Sequence, residues 1–187
     1  EWSGTNTDVE GFIYPLRNSN LKNKRGTILG SGGAARAAVQ GLLELKLSEI
    51  NVITRNRKSL AKILKDFSGD TKINGFIDEN ESNDKLIQNS DLVVNSTPVG
   101  MKSISNKEHS LPFGEKIWKS LTPDTIIYDL IYNPRKTPLL EFGLKRNCIA
   151  IDGLEMLASQ GAKSLSFWTN GLEAPFELMK KSLEEYI

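Results

Sequence analysis

The residues best placed to do chemistry form a glycine run, Gly30-Ser31-Gly32-Gly33-Ala34-Ala35, between an apolar segment and an alanine-rich one. In strand–turn–helix order this pattern holds a dinucleotide pyrophosphate. Gly30 permits the tight turn, Gly32 lets a phosphate approach the backbone, and Ala35 replaces a third glycine while staying small enough for close packing. Free N–H groups and the dipole at the helix start favour the phosphate charge. The plain alternative is a glycine turn chosen for packing. A nucleoside-triphosphate loop is disfavoured because no Gly-Lys-Ser/Thr follows.

Roughly 20 residues further on, an NAD site carries Asp or Glu for the ribose 2′-hydroxyl. This chain has Thr54-Arg55-Asn56-Arg57-Lys58-Ser59 there. A carboxylate repels a 2′-phosphate, whereas a guanidinium binds it through paired, charge-assisted hydrogen bonds. The pattern therefore predicts NADP, with a solvated basic turn as the plain alternative.

These residues need a scaffold. Short β-branched runs alternate with helical segments, which predicts an α/β fold: a doubly wound, Rossmann-type parallel sheet with helices on both faces. The strands are expected at 26–29, 50–54, 72–77, 92–96, 125–132 and 148–151. Helices are expected at 34–46 and 59–67, with Thr137-Pro138 starting another and Asn147 stopping it. Thr7 to Glu10 matches a capping box ahead of Val9, Phe12 and Ile13. Two consecutive helices, 154–168 and 172–187, close the chain. In the first, Leu154, Leu157, Ala158, Gly161, Ala162, Leu165 and Trp168 share one face. Met156, Gln160, Lys163 and Phe167 share the other, which is too apolar for a plain surface and is expected to be covered or used.

Composition narrows the function classes. The chain has 187 residues, 24 Lys+Arg against 23 Asp+Glu, one His and one Cys. That length suits one full domain with extra segments, or two small ones. Near-neutral charge gives no general pull toward nucleic acid. A single cysteine, Cys148, excludes an internal disulfide and reads as an inert core thiol, and no Cys/His spacing suggests a metal site. No apolar run approaches the roughly 20 residues that span a bilayer. No secretory leader opens the chain, so no membrane partner and a cytoplasmic location are expected. His109 sits in a polar loop and reads as a surface residue. Asn95-Ser96-Thr97 matches a glycosylation sequon but falls in an expected buried strand.

The chain resembles the shikimate dehydrogenase family through ordered motifs along nearly its whole length. These are Gly4-Thr5-Asn6-Thr7-Asp8, the glycine loop, Thr54-Arg55-Asn56, Asp91 to Met101, Tyr128-Asp129-Leu130-Ile131-Tyr132-Asn133-Pro134, and Thr137-Pro138-Leu139-Leu140. Asp152-Gly153-Leu154-Glu155-Met156-Leu157 follows, with Gln160, Phe167 and Trp168. The resemblance implies reversible, NADP-dependent reduction of 3-dehydroshikimate to shikimate, in aromatic amino-acid (chorismate) biosynthesis. It implies Asp8 as the acidic partner of a catalytic Lys–Asp pair that also binds substrate hydroxyls. Tyr132 and Gln160 become substrate contacts, and Leu130 and Gly153 line the nicotinamide. The cofactor set is then Gly30, Ser31, Gly32, Gly33, Ala34, Thr54, Arg55, Asn56, Arg57, Lys58, Ser59, Thr97, Leu130 and Gly153.

Without the resemblance each residue has a plainer role. Asp8 suits a helix dipole, Tyr132 a core aromatic, and Gln160 a solvated helix face. The strand ends at Asn95–Thr97 and Leu130–Tyr132 do fall at the carboxyl edge of the expected sheet, where ligands bind in open α/β folds. The chain departs from the family pattern in the basic turn, with Thr54 where Asn is common and Ser59 where a second cation is often found. The family's catalytic Lys and its Ser/Thr contacts to the substrate carboxylate lie in an N-terminal domain upstream of Asn-Thr-Asp, with no counterpart here. The chain begins Glu1-Trp2-Ser3 without Met, and the expectation is a truncation that binds NADP without turning over shikimate. On that reading 1–20 is a linker helix, 21–152 the NADP-binding domain, and 153–187 helices returning to the substrate domain, as monomer or homodimer. Two other readings stand: a quinate/shikimate dehydrogenase using NAD or NADP, and a non-catalytic nucleotide-binding module.

Overall fold

The computed structural model describes residues 4–69, 71–78, 83–102 and 110–187. His109 and residues 79–82 lie outside the described residues. Six strands form one sheet: β1 (Arg25–Leu29), β2 (Glu49–Thr54), β3 (Lys72–Ile77), β4 (Leu92–Asn95), β5 (Ile126–Asp129) and β6 (Ile149–Ile151). Their spatial order is β3-β2-β1-β4-β5-β6 with every pairing parallel. This is the doubly wound Rossmann-type arrangement, and the order in which strands are added reverses between β1 and β4.

The helices are α1 (Asp8–Ile13), α2 (Gly33–Glu44), α3 (Arg57–Asp66), α4 (Asn83–Gln88), α5 (Pro138–Leu144), α6 (Leu154–Trp168) and α7 (Phe176–Tyr186). Each central strand is buried on both faces, and alternate residues feed two cores. Ile28, Val52, Val94 and Tyr128 join Phe12, Ala38, Leu42 and Met156 on one face. Leu29, Ile53, Val93 and Ile127 join Ile87, Trp118, Leu140 and Cys148 on the other. Cys148 is buried, its Sγ faces the Thr122 carbonyl at 3.4 Å, and burial pushes its thiol pKa up, as suits an unreactive thiol.

Local hydrogen bonds shift several boundaries. β5 stops at Asp129, short of Tyr132, because the Asp129 carboxylate accepts the Ile131 N–H at 3.2 Å and turns the chain. α3 begins at Arg57, two residues before Ser59, because Asn56 Oδ1 accepts the Ser59 N–H at 3.1 Å. Thr137 does cap α5, accepting from the Leu140 N–H at 3.3 Å. That helix ends at Leu144, and Asn147 follows with φ 60°.

The capping box at Thr7 does not form. Thr7 Oγ1 instead meets Ser164 Oγ at 3.0 Å, while Asn6 Oδ1 accepts the Asp8 N–H. Glu10 pairs with Lys163 at 3.1 Å and Arg17 at 3.4 Å. The two faces expected of α6 also differ from those observed. Met156, assigned to the second face, is buried in the core, whereas Trp168 is 76% exposed. Leu154, Met156, Ala158 and Ser159 are buried, whereas Leu165, Phe167 and Trp168 are exposed, so burial follows position along the helix more than face. α7 begins only after Pro175, and none of its residues is buried.

Candidate functional site

The glycine turn lies where β1 meets β4. Gly30 has φ +108°, and a Cβ there would strike Ser96 Oγ, itself held by the Leu29 carbonyl at 2.6 Å. The fold therefore requires glycine at this position. Gly32 is different. It precedes α2 with φ −81° and ψ −164°, which any residue adopts, and a Cβ on Gly32 or Gly33 would meet nothing within 4 Å. The protein's own packing does not explain these two glycines. They leave bare backbone and the unpaired N–H groups of a helix start facing open space. Ala35 is fully buried against the sheet.

The basic turn is tied to this loop. Ser31 Oγ lies 2.7 Å from Thr54 Oγ1 and 2.5 Å from Ser59 Oγ, and the Asn56 N–H donates to Thr54 Oγ1 at 3.1 Å. Arg57 and Lys58 stand exposed in the first turn of α3. Cations at a helix N-terminus oppose its dipole, an arrangement that a bound anion would offset. Arg55 reaches sideways: its Nε donates to Asp78 Oδ2 at 3.3 Å, and its guanidinium lies over Phe113 at 5.3 Å. Burial pushes the Asp78 pKa up, with Arg55 pulling against it. Gly30, Thr54, Arg55, Asn56, Thr97 and Phe113 line a cavity of ≈ 200 Å³, with Pro98 and Val99.

At the next strand ends, Thr97 donates through its N–H and Oγ1 to Asn95 Oδ1, at 3.0 and 2.7 Å. Asn95 donates to Asp129 Oδ1, and Thr137 Oγ1 to Asp129 Oδ2 at 2.6 Å. Asp129 is fully buried, and burial raises its pKa to about 6 against the three donated hydrogen bonds, with the Asp152 charge adding to the rise. Asn95 is equally buried, which removes the sequon from consideration. Gly153 donates its N–H to the Ile131 carbonyl at 3.0 Å, and a Cβ there would collide with the Leu130 carbonyl. Leu130 and Gly153 thus meet at the head of α6.

Asp8 and Gln160 come together across α1 and α6, in a groove of ≈ 550 Å³ with Thr7, Leu157, Ser164, Leu165 and Trp168. Tyr132 is 38% exposed and is not among the residues lining that groove. No group of three or more His, Cys, Asp or Glu suited to a metal occurs among the described residues. No helix among them is long and apolar enough to cross a membrane. Sequence reasoning passed over Asp129, Asp78 and Phe113. Asp129 had a signal, as a carboxylate closing a β-branched run, but Phe113 had none.

Comparison with known proteins places this geometry. Residues 153–184 match the family model for the shikimate 5′-dehydrogenase C-terminal domain. Over all 187 residues the chain is 54% identical to the shikimate dehydrogenase (NADP(+)) of Prochlorococcus marinus strain MIT 9312, spanning 65% of that protein. The chain is similar to shikimate dehydrogenases over its whole length and spans about 65% of theirs. Among solved structures, shikimate 5-dehydrogenase from Listeria monocytogenes, in complex with shikimate and NAD, superposes with TM-score 0.82 at 32% identity, over 96% of this chain and 63% of that one. The ligand-free 5-ketofructose reductase of a Gluconobacter strain superposes with TM-score 0.81 at 28% identity, over 98% and 64%. Shikimate dehydrogenases and a ketose reductase therefore share this fold.

Proposed function

We propose that this chain is the NADP-binding part of a shikimate dehydrogenase that interconverts 3-dehydroshikimate and shikimate in the cytoplasm. The observation that carries the reading is the bare backbone at Gly32–Gly33, bonded through Ser31 to a basic turn with no carboxylate inside it. NADP fits that donor set. The α2 start offers N–H groups to the pyrophosphate, and Arg55, with Arg57 and Lys58 nearby, offers charge to a 2′-phosphate. Thr54, Asn56 and Ser59 shape the turn, and Leu130 and Gly153 face the nicotinamide end. The cofactor, when bound, supplies the hydride equivalent exchanged with a substrate carbon.

Ketone reduction also needs a proton delivered to the developing alkoxide, and an acid–base group within hydrogen-bond reach provides it. Asp8 and Gln160 share a groove with Thr7 and Ser164, and they would hold substrate hydroxyls, whereas Tyr132 lies outside the lining of that groove. No lysine is among the residues described as lining that groove. The proton donor paired with Asp8 is therefore assigned to the longer protein, with this chain binding NADP and lacking turnover by itself.

The test is calorimetric titration of the chain with NADP+ and NAD+. Arg55→Ala should weaken NADP+ by about 1.5–3 kcal/mol, the scale of a charged hydrogen bond, and NAD+ much less. Equal losses for both cofactors would reject the 2′-phosphate assignment. Turnover of shikimate by this chain, abolished in Asp8→Asn, would reject the assignment of the proton donor to the longer protein.

A further inference from the structure

Among the described residues, Asp78 is the carboxylate placed against the cation expected to read the 2′-phosphate. It follows directly after β3, and its backbone N–H donates to the Thr54 carbonyl at 3.1 Å, which fixes it beside Arg55. Its carboxylate takes Arg55 Nε at 3.3 Å. Its side chain is 22% exposed and that of Arg55 67%, so the carboxylate sits on the inner side of the pair. Arg55 in turn lines the ≈ 200 Å³ cavity together with Phe113.

Two effects of opposite sign follow. Asp78 could help by orienting Arg55: Nε has one hydrogen, and engaging it leaves the terminal nitrogens for a phosphate. Or it could hinder, by placing a negative charge one guanidinium away from where a dianionic phosphate would bind. Phe113 already holds the guanidinium over its ring at 5.3 Å, and a cation attracted to a ring face gains little further order from a second contact. The like-charge repulsion has no such substitute. Hindrance should win.

We infer that Asp78 is a specificity-determining residue, competing with the ribose 2′-phosphate for Arg55 and so moderating the preference for NADP over NAD. The inference rests on the NADP reading above and adds a residue that limits it. An unphosphorylated ribose carries no charge for Asp78 to repel, so NAD affinity is indifferent to this carboxylate. The net selectivity is the difference between the attraction of Arg55 and the repulsion of Asp78.

The experiment measures NADP+ and NAD+ affinities by calorimetry for the wild-type chain, Asp78→Asn, Asp78→Glu and Arg55→Ala, with circular dichroism to verify folding. Asp78→Asn keeps an acceptor for Nε and loses only the charge. It should tighten NADP+ by roughly three- to fivefold, the scale of a partly exposed ion pair. NAD+ should stay within about twofold, and Asp78→Glu, with its charge restored, should return the wild-type ratio. An unchanged ratio, or weaker NADP+ binding, in Asp78→Asn would overturn the inference. The two readings separate through Arg55→Ala. If that variant weakens NADP+ and Asp78→Asn fails to tighten it, only the role of Asp78 falls. If Arg55→Ala leaves NADP+ untouched, both fall.

Discussion

Asn95 and Asp129, register partners on β4 and β5, are joined by an Asn95 Nδ2–H to Asp129 Oδ1 hydrogen bond of 2.9 Å inside the protein. Asp129 also accepts from the Ile131 N–H and from Thr137 Oγ1, and Asn95 also receives both donors of Thr97. One buried carboxylate therefore fixes the loops that carry Thr97 and the Leu130–Tyr132 turn, and the start of α5. Asp129→Ala should cost about 2–4 kcal/mol in denaturant unfolding, because it leaves buried donors without an acceptor. Asp129→Asn, which retains one acceptor oxygen, should cost clearly less. Equal costs for the two variants would mean that volume matters here and hydrogen bonding does not.

The same residue gives a pH dependence of known sign. Burial holds the Asp129 pKa at about 6, above the ordinary 3.8. Between those values the folded state holds more protons at this group than the unfolded state. Its contribution is therefore fully present below pH 3.8 and lost as pH rises through about 6. The loss should be on the order of 1–3 kcal/mol. Urea unfolding at pH 4.5 and 7.5 should show wild type losing stability, relative to Asp129→Asn, on going to the higher pH. A constant difference between the two proteins at both values would contradict the raised pKa.

The strands were legible because β-branched runs buried on both faces leave a strong pattern, and the glycine turn because one residue type alone tolerates φ +108° at Gly30. Element ends were less legible, being decided by single side-chain contacts. The Asp129 turn shortened β5, the Asn56 cap lengthened α3, and Ser164 drew Thr7 out of a capping box. The meeting of Asp8 and Gln160 across α1 and α6 follows from packing between distant segments, which no local pattern contains. In sequence, only the family resemblance gave each of them a substrate role. Asp78 and Phe113 reach Arg55 through strand order and through packing between segments distant in sequence. Neither has a spacing that could have revealed it.

Tyr128 offers a stabilising substitution. Its ring stacks on Phe12 at 5.2 Å, which ties α1 to the sheet, but its hydroxyl is buried with no hydrogen-bond partner. Burial, with the charges of Glu155 and Asp152, pushes its pKa well above the ordinary tyrosine range, so it stays neutral. Tyr128→Phe keeps the stack and removes the orphaned group. It should raise stability by about 0.5–2 kcal/mol, read as a higher urea midpoint at unchanged slope. A loss of stability would show that the hydroxyl has found a partner, such as a buried water.

The glycine loop separates what the fold needs from what a ligand needs. Gly30→Ala forces a Cβ into Ser96 Oγ at a positive φ, so it should destabilise the protein by about 2–4 kcal/mol and weaken ligand binding as a consequence. Gly32→Ala meets no atom of the protein and keeps an allowed backbone conformation. Its unfolding free energy should stay within about 1 kcal/mol of wild type, the range of a helix-cap change. If Gly32 is glycine so that a pyrophosphate can reach the backbone, the same variant should lose NADP+ and NAD+ affinity together, by tenfold or more. The pair of measurements is decisive because the two variants differ in sign of cause. A stable Gly32→Ala that still binds both dinucleotides at wild-type affinity would remove the pyrophosphate from this turn, and with it the reason the loop is left bare.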